Sequence, residues 1–105
     1  MIRTIGSAAL AALLVVGCTW VTVTPEGAGV RVAGAAEVAS CERKGKVTVS
    51  VENRVAAIER KPTKVATELA TLARNEAASL GGDTVVAEGD VIEGRQVFGV
   101  YRCKS

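Results

Sequence analysis

Histidine is absent from this 105-residue sequence, and aromatic residues are nearly so. Without histidine the chain lacks the most common general base, the most common metal-ligating side chain and the side chain that titrates near neutral pH. One Trp, one Phe and one Tyr form no aromatic platform on which bases or sugars could stack. Ser40, Ser50 and Ser79 have no histidine to activate them as nucleophiles. These absences predict a protein that is not an enzyme.

The sequence also lacks a large excess of either positive or negative charge. Thirteen Lys and Arg residues face eleven Asp and Glu residues, for a formal net charge of +2. Nucleic-acid binding requires a concentrated basic patch, so we expect no nucleic-acid partner. Arg60, Lys61 and Lys64 form a small basic cluster beside Glu59 and Glu68. This cluster predicts a solvated face of mixed charge, and a patch for anionic lipid head groups is the alternative.

The first seventeen residues are strongly apolar. Arg3 precedes an apolar run over residues 4–16, which is shorter than the roughly 20 residues that a membrane-spanning helix needs. A run of this length is typical of the apolar region of a signal peptide. Residues 15–18, with the sequence VVGC, resemble the lipobox of bacterial lipoprotein precursors. A signal-anchor helix with an incidental cysteine is the alternative interpretation.

The lipobox resemblance implies that the signal peptide, residues 1–17, is removed and that Cys18 is the site of lipidation. A cysteine thiolate is the nucleophile such chemistry needs, and two or three acyl chains hold a protein durably at a membrane. Thr19 stands where an Asp tends to retain lipoproteins in the inner membrane of Gram-negative bacteria. The resemblance therefore implies a lipid-anchored protein of the cell envelope, in the outer membrane and facing the periplasm.

Three cysteines are present. If Cys18 carries lipid, Cys41 and Cys103 remain as a pair, and an oxidising compartment favours a disulfide between them. The pair is too far apart in sequence for a CxxC redox motif. A structural zinc site would need four ligands, so we expect no metal site at these cysteines. The composition indicates no cofactor.

Hydrophobic periodicity predicts an α+β domain over residues 30–105: a small antiparallel or mixed sheet with one helix packed on one face, closed by one disulfide. Residues 18–29 form either a tether next to the anchor or a short strand. The clearest strand covers residues 46–52, and its polar face indicates a sheet covered on one side only. Another strand is expected over residues 83–88. Residues 96–103 are apolar on both faces, which is typical of a central strand.

Between these strands, residues 64–80 have the period of a helix. We expect Thr63 to be its N-cap and Gly81 to take the left-handed conformation that closes it. The predicted buried stripe consists of Val65, Ala66, Leu69, Ala70, Leu72, Ala73, Ala77 and Leu80, with Glu76 at its edge. A pair between Lys64 and Glu68 is expected on the exposed side. The charged residues 53–61 predict at most a helical turn.

Two groups of polar residues are candidates for binding. Asp83, Glu88, Asp90 and Glu93 lie close in sequence; they predict a solvated hairpin loop, with a small-ligand or metal-ion site as the alternative, although the spacing matches no calcium-binding loop. The segment 74–76, with the sequence RNE, lies on the helix. We expect it at a solvent-facing edge, and a ligand groove is the alternative.

Several segments together resemble a known family. Residues 72–83 (LARNEAASLGGD) look like the core motif of small bacterial lipoproteins catalogued as domain of unknown function 4156. Residues 99–103 (GVYRC) resemble its closing motif, and Cys41 followed by Gly45 resembles its opening cysteine. A more distant similarity runs to the outer-membrane sensor lipoprotein of the Rcs phosphorelay. That sensor has four cysteines in its domain and a Pro-rich tether, which this sequence lacks.

The family resemblance supplies no catalytic residue. It implies a non-enzymatic envelope lipoprotein, and we expect a protein-binding module that acts in envelope maintenance or stress sensing. The expected partners are the membrane, through the lipid anchor, and an envelope protein. A lipoprotein that binds a small ligand or a metal ion is the alternative function.

Overall fold

The computed structural model describes residues 21–55 and 58–104. The predicted signal peptide and Cys18 lie outside these described residues. The strands are β1 (Arg31–Val32), β2 (Glu42–Ser50), β3 (Arg54–Val55), β4 (Ile58–Glu59), β5 (Thr84–Ala87) and β6 (Arg95–Arg102), and the helix is α1 (Pro62–Ser79). Two 3-10 turns, Gly27–Gly29 and Ala35–Val38, flank β1. Residues 21–24 have no regular secondary structure.

The principal sheet has four strands in the order β1-β5-β6-β2. Strand β1 pairs parallel with β5, and the other two pairings are antiparallel, so the sheet is mixed. Strand β6 lies between β5 and β2, which confirms the central strand that its two apolar faces predict. The α+β class with one helix on one face is confirmed.

Helix α1 covers one face of this sheet and forms the main core with it. Its buried stripe consists of Val65, Leu69, Ala73 and Ala77. These side chains belong to the same core cluster as Val85, Phe98 and Val100 of the sheet. The two alanines bring the helix backbone close to the strands, as small residues allow. The predicted stripe is wrong at Ala66, which is exposed, and at Leu80, which is 43% exposed.

Helix α1 departs from the prediction at its start and agrees with it at its end. The helix begins at Pro62, and Lys61 occupies the N-cap position, so the predicted cap at Thr63 is wrong. Proline is well suited to the first helical position because it lacks an N–H that would have no partner there. At the other end, Gly81 has a φ of 80°, and the predicted left-handed closure is confirmed.

A short hairpin precedes the helix. The prediction of a helical turn between residues 53 and 61 is wrong, because Arg54 pairs with Glu59 and Val55 with Ile58 in a separate two-stranded sheet. Arg60 fastens this hairpin to α1: its guanidinium donates two hydrogen bonds, of 3.0 and 2.7 Å, to the Glu68 carboxylate. Arg60, rather than the expected Lys64, is therefore the principal partner of Glu68.

The opposite face of the sheet is only partly open. Lys46, Thr48 and Ser50 of β2 are exposed there, as the alternating sequence predicts. In β5, however, Thr84 and Val86 alternate with the core residue Val85 and are buried as well. The expectation of a sheet covered on one side only is therefore correct for β2 and wrong for β5.

The predicted disulfide joins the ends of two neighbouring strands. Cys41 directly precedes β2 and Cys103 directly follows β6, and their sulfurs are bonded. Glu42 pairs with Arg102 in the adjacent register position, so the disulfide is a covalent crosslink directly beside the last residue pair of β2 and β6.

Candidate functional site

The N-terminal segment 21–30 is fastened along α1 by two helix residues. The Arg74 Nε–H donates to the Val30 carbonyl at 2.7 Å. The Asn75 carboxamide accepts a hydrogen bond of 2.9 Å from the Thr24 N–H and donates one of 3.0 Å to the Thr22 carbonyl. These polar side chains stabilise the fold and are half-buried, so the expectation that segment 74–76 lies at a solvent-facing edge holds only for Glu76.

The acidic residues between 83 and 93 are separated by the fold. Both Asp83 carboxylate oxygens accept backbone hydrogen bonds, of 2.8 Å from Cys103 and 2.9 Å from Lys104, and the Thr84 hydroxyl donates a third. Partial burial acts to raise the pKa of Asp83, but these three hydrogen bonds outweigh it and hold the pKa below its ordinary value. Asp83 thereby ties the end of β6 to the start of β5.

Glu88 is engaged elsewhere, on the face of the sheet opposite the helix. Its carboxylate accepts a 2.7 Å hydrogen bond from Arg43, which lowers the pKa of Glu88. Arg43 also donates to the Tyr101 hydroxyl at 2.8 Å, and its guanidinium carbon lies 5.4 Å from the centre of that ring. The three side chains close over Gly99, where a Cβ would collide with them. The ion pair thus bridges β2 and the end of β5 across the central strand.

Within the described ranges 21–55 and 58–104, no three Asp, Glu, Cys or His residues come together in a group that could hold a metal ion. The predicted acidic cluster therefore contributes no such group there. In the same part of the chain, no helix has the length and apolar character needed to cross a membrane.

One depression of about 360 Å³ lies beside the Arg43–Glu88 bridge, on the open part of the sheet. Thr48 of β2 and Val97 of β6 are direct cross-strand neighbours and form its floor. Ile92, which is 69% exposed, stands on its wall. The charged residues of its rim are Glu88, Asp90 and Arg95. We name this feature the sheet depression; the sequence did not predict it, because Thr48 reaches the other lining residues, all within 88–97, only through the pairing of β2 with β6.

A second depression of about 520 Å³ lies where the hairpin, the start of α1 and the loop before β6 meet. Its lining includes Glu59, Arg60, Pro62, Thr63 and Val91. Thr63 also lines a smaller neighbouring depression together with Val21, Lys64 and Thr67. Val21, the first described residue of the N-terminal segment, therefore lies against the first half of α1, and the carbonyl of the next residue, Thr22, accepts a hydrogen bond from Asn75 in the second half.

These features define a small disulfide-linked α+β domain whose N-terminal segment is fastened to its single helix. The chain belongs to the family described as Domain of unknown function (DUF4156), whose family model matches residues 21–103. This confirms the resemblance in the core and closing motifs. The match begins in the fastened segment, so that segment is part of the family domain. No curated protein and no solved structure matches the chain.

Proposed function

We propose that this protein is a non-enzymatic lipoprotein of the bacterial envelope that binds a protein partner through the sheet depression. The observation that carries the proposal is the depression itself, in which Val97 and Ile92 supply apolar surface inside a rim of charged residues. An apolar pocket with a polar rim is the usual arrangement at the energetic centre of a protein interface. The partner we propose presents an apolar side chain to this pocket.

In our proposal, the hydrogen bonds of two acidic side chains favour binding over catalysis. Asp83 and Glu88, two of the candidate acid–base groups, are engaged in hydrogen bonds that hold strands together. Both carboxyl groups have lowered pKa values, which keeps them ionised near neutral pH. A general acid working near neutral pH needs the opposite shift, toward a higher pKa. In our proposal these two residues therefore stabilise the fold and take no part in a reaction.

The anchor and the location rest on the sequence. We propose that lipid is attached at Cys18 and that the mature domain lies outside the cytoplasm, at the outer membrane and facing the periplasm. The Cys41–Cys103 disulfide supports an exported protein, because disulfides persist mainly in oxidising compartments. A role in envelope maintenance or stress sensing, and the distant similarity to the Rcs sensor lipoprotein, remain predictions.

Photo-crosslinking in intact cells tests the proposed binding site. A photoreactive amino acid is placed at Thr48 or Ile92, at the sheet depression, and at Thr67, an exposed position on α1. We expect a discrete protein adduct from positions 48 and 92 and none from position 67. The same adducts from all three positions, or none from 48 and 92, would contradict the proposal. Each variant is first compared with the unchanged protein by thermal melting, so that misfolded variants are excluded.

A further inference from the structure

Strand β2 lies at one edge of the principal sheet, and half of its backbone groups point away from its neighbour β6. In an antiparallel pair, the N–H and C=O groups of successive residues face the neighbouring strand and the open side alternately. The Val51 N–H donates to the carbonyl of Gly94, directly before β6, so the odd-numbered residues in this half of β2 face β6. The residues that face outward are Lys46, Thr48 and Ser50.

This outward side of β2 is open over five residues. Among the residues that the structure describes, none forms a hydrogen bond with the outward backbone groups of residues 46, 48 and 50. At one end of the stretch, a register irregularity between Arg43 and Gly45 interrupts the pairing. At the other end, the Glu52 carbonyl accepts a 3.1 Å hydrogen bond from Arg60. We name residues 46–50 the free edge.

The free edge carries little of the protection that edge strands usually have. Natural proteins prevent the pairing of exposed edges with bulges, prolines or charged side chains. The register irregularity lies outside the free edge, no proline interrupts it, and Lys46 is its one charged residue. An added strand is therefore opposed mainly where it brings a positive charge next to Lys46.

The free edge is complementary to a second copy of itself. The antiparallel register that pairs all five residues is centred on Thr48, which lies opposite Thr48 of the partner subunit. Lys46 then lies opposite the partner subunit's Ser50, and the same contact is repeated on the other side of the two-fold axis. Like charges directly opposite each other destabilise a sheet, and this register contains no such pair.

Valine side chains complete the pairing on the helix side of the sheet. Val49 is buried in the core cluster, and Val47 packs against that cluster while only half-buried. In the same register Val47 lies opposite the partner subunit's Val49, at a non-hydrogen-bonded position where side chains approach closely. Pairing therefore covers apolar surface of Val47 that a single copy leaves at the edge of its sheet.

From these observations we propose that two copies of this protein pair through their free edges and join their four-stranded sheets into one. Each outward-facing residue then donates and accepts one backbone hydrogen bond. The two-fold axis runs perpendicular to the joined sheet, so both helices lie on one face and both sheet depressions on the other. A five-residue edge is a small interface, and we expect a weak dimer that forms as concentration rises. The proposal goes beyond the proposed function and does not depend on it.

Disulfide crosslinking tests the pairing and its register. The purified full-length variants Thr48→Cys and Ser50→Cys are oxidised with copper phenanthroline and separated on non-reducing gels. The two copies of position 48 lie about 5.5 Å apart between Cα atoms, whereas the two copies of position 50 lie about 13 Å apart along the strands. We expect the dimer band of Thr48→Cys to exceed that of Ser50→Cys on the order of tenfold. The unchanged protein, which keeps Cys18, gives the background.

A mixing experiment tests the same register independently. Lys46→Cys and Ser50→Cys should each give only the background band when oxidised alone. An equal mixture of the two should give a dimer band, because position 46 lies opposite the partner's position 50. Thermal melting of every variant is compared with that of the unchanged protein, so that misfolded variants are excluded.

Three outcomes would overturn the proposal. They are equal dimer bands from Thr48→Cys and Ser50→Cys, a mixture that behaves like its separate components, and a photoreactive residue at position 50 that crosslinks in cells to a different protein instead of a second copy. The proposed function is decided separately, by the adducts from Ile92, because Ile92 is not part of the free edge. At position 48 the mass of an adduct distinguishes a second copy from another protein.

Discussion

Gly27 lies directly against the Asn75 side chain, with no room for a Cβ between them. The Asn75 carboxamide binds the backbone on either side of Val23, at the Thr22 carbonyl and the Thr24 N–H. The Gly27 N–H in turn donates a 2.9 Å hydrogen bond to the Thr24 hydroxyl. A glycine and an amide thereby fasten segment 21–30 to the helix.

Gly27→Ala should displace this segment. The added methyl group would collide with Asn75, and overpacking of this kind costs about 1–3 kcal/mol of unfolding free energy. Gly29→Ala is the matched control in the same 3-10 turn, because its Cβ would meet nothing within 4 Å. We expect that control to stay within about 0.5 kcal/mol of the unchanged protein. Urea unfolding of the two variants checks the prediction, and equal effects would show that the contact does not matter.

Removing the disulfide should destabilise the domain strongly. The Cys41–Cys103 bond closes a loop with a sequence separation of 62 residues, and the loss of such a crosslink costs about 2–4 kcal/mol. We therefore expect the double variant Cys41→Ser, Cys103→Ser to melt well below the unchanged protein. Reductant should lower the melting temperature of the unchanged protein and leave that of the double variant unaltered. A melting temperature that reductant does not change in either protein would contradict this.

Two leucines on or next to the helix should respond very differently to truncation. Leu69 is completely buried between α1 and the sheet, whereas Leu80 is 43% exposed after the helix ends. Leu69→Ala should lower the unfolding free energy by about 3 kcal/mol, because it removes buried methyl groups and leaves a cavity. Leu80→Ala should cost less than about 1 kcal/mol. Chemical denaturation of both variants measures the difference. Similar losses of unfolding free energy would show that Leu69 is not a core residue.

Stability should decline in acid. The pKa values of Asp83, Glu68 and Glu88 are lowered in the folded protein, so the unfolded chain binds more protons near pH 4. The stabilisation is complete above the ordinary carboxyl pKa of about 4 and is lost as the pH falls through the lower folded-state values. Melting temperatures measured from pH 7 to pH 2 should show this decline. Asp83→Asn should make it shallower; an equally steep decline would exclude Asp83 as a contributor.

Periodicity in the sequence is sufficient to predict the helix and the central strand. Val65, Leu69 and Ala73 repeat at helical spacing and are buried together. Strand β6 carries apolar residues on both of its faces and lies in the interior of the sheet, between β5 and β2. In both cases the spacing of apolar residues reflects which faces of the element are buried. It therefore predicts how the element packs as well as whether it is a helix or a strand.

The hairpin and the roles of Arg74 and Asn75 were missed for different physical reasons. The hairpin has two paired residues per strand, too few for a period to become visible. Arg74 and Asn75 contact backbone atoms far away along the chain, such as the Val30 and Thr22 carbonyls. No local pattern marks a polar side chain whose partner is a distant carbonyl. The sheet depression was not predicted because it forms only when β2 pairs with β6 and brings Thr48 beside residues 88–97.

The position of β6 has a consequence for the order in which the domain assembles. Strand β6 pairs with β5 across a short connection, but its other neighbour, β2, lies on the far side of the helix in sequence, with Ser50 opposite Arg95. Closing a long loop before its contacts form is slow. We therefore expect the helix and the β5–β6 hairpin to form before β1 and β2 complete the sheet. Because Cys41 and Cys103 lie directly beside the Glu42–Arg102 pair, we expect formation of their bond to report that β2 has paired with β6 in register.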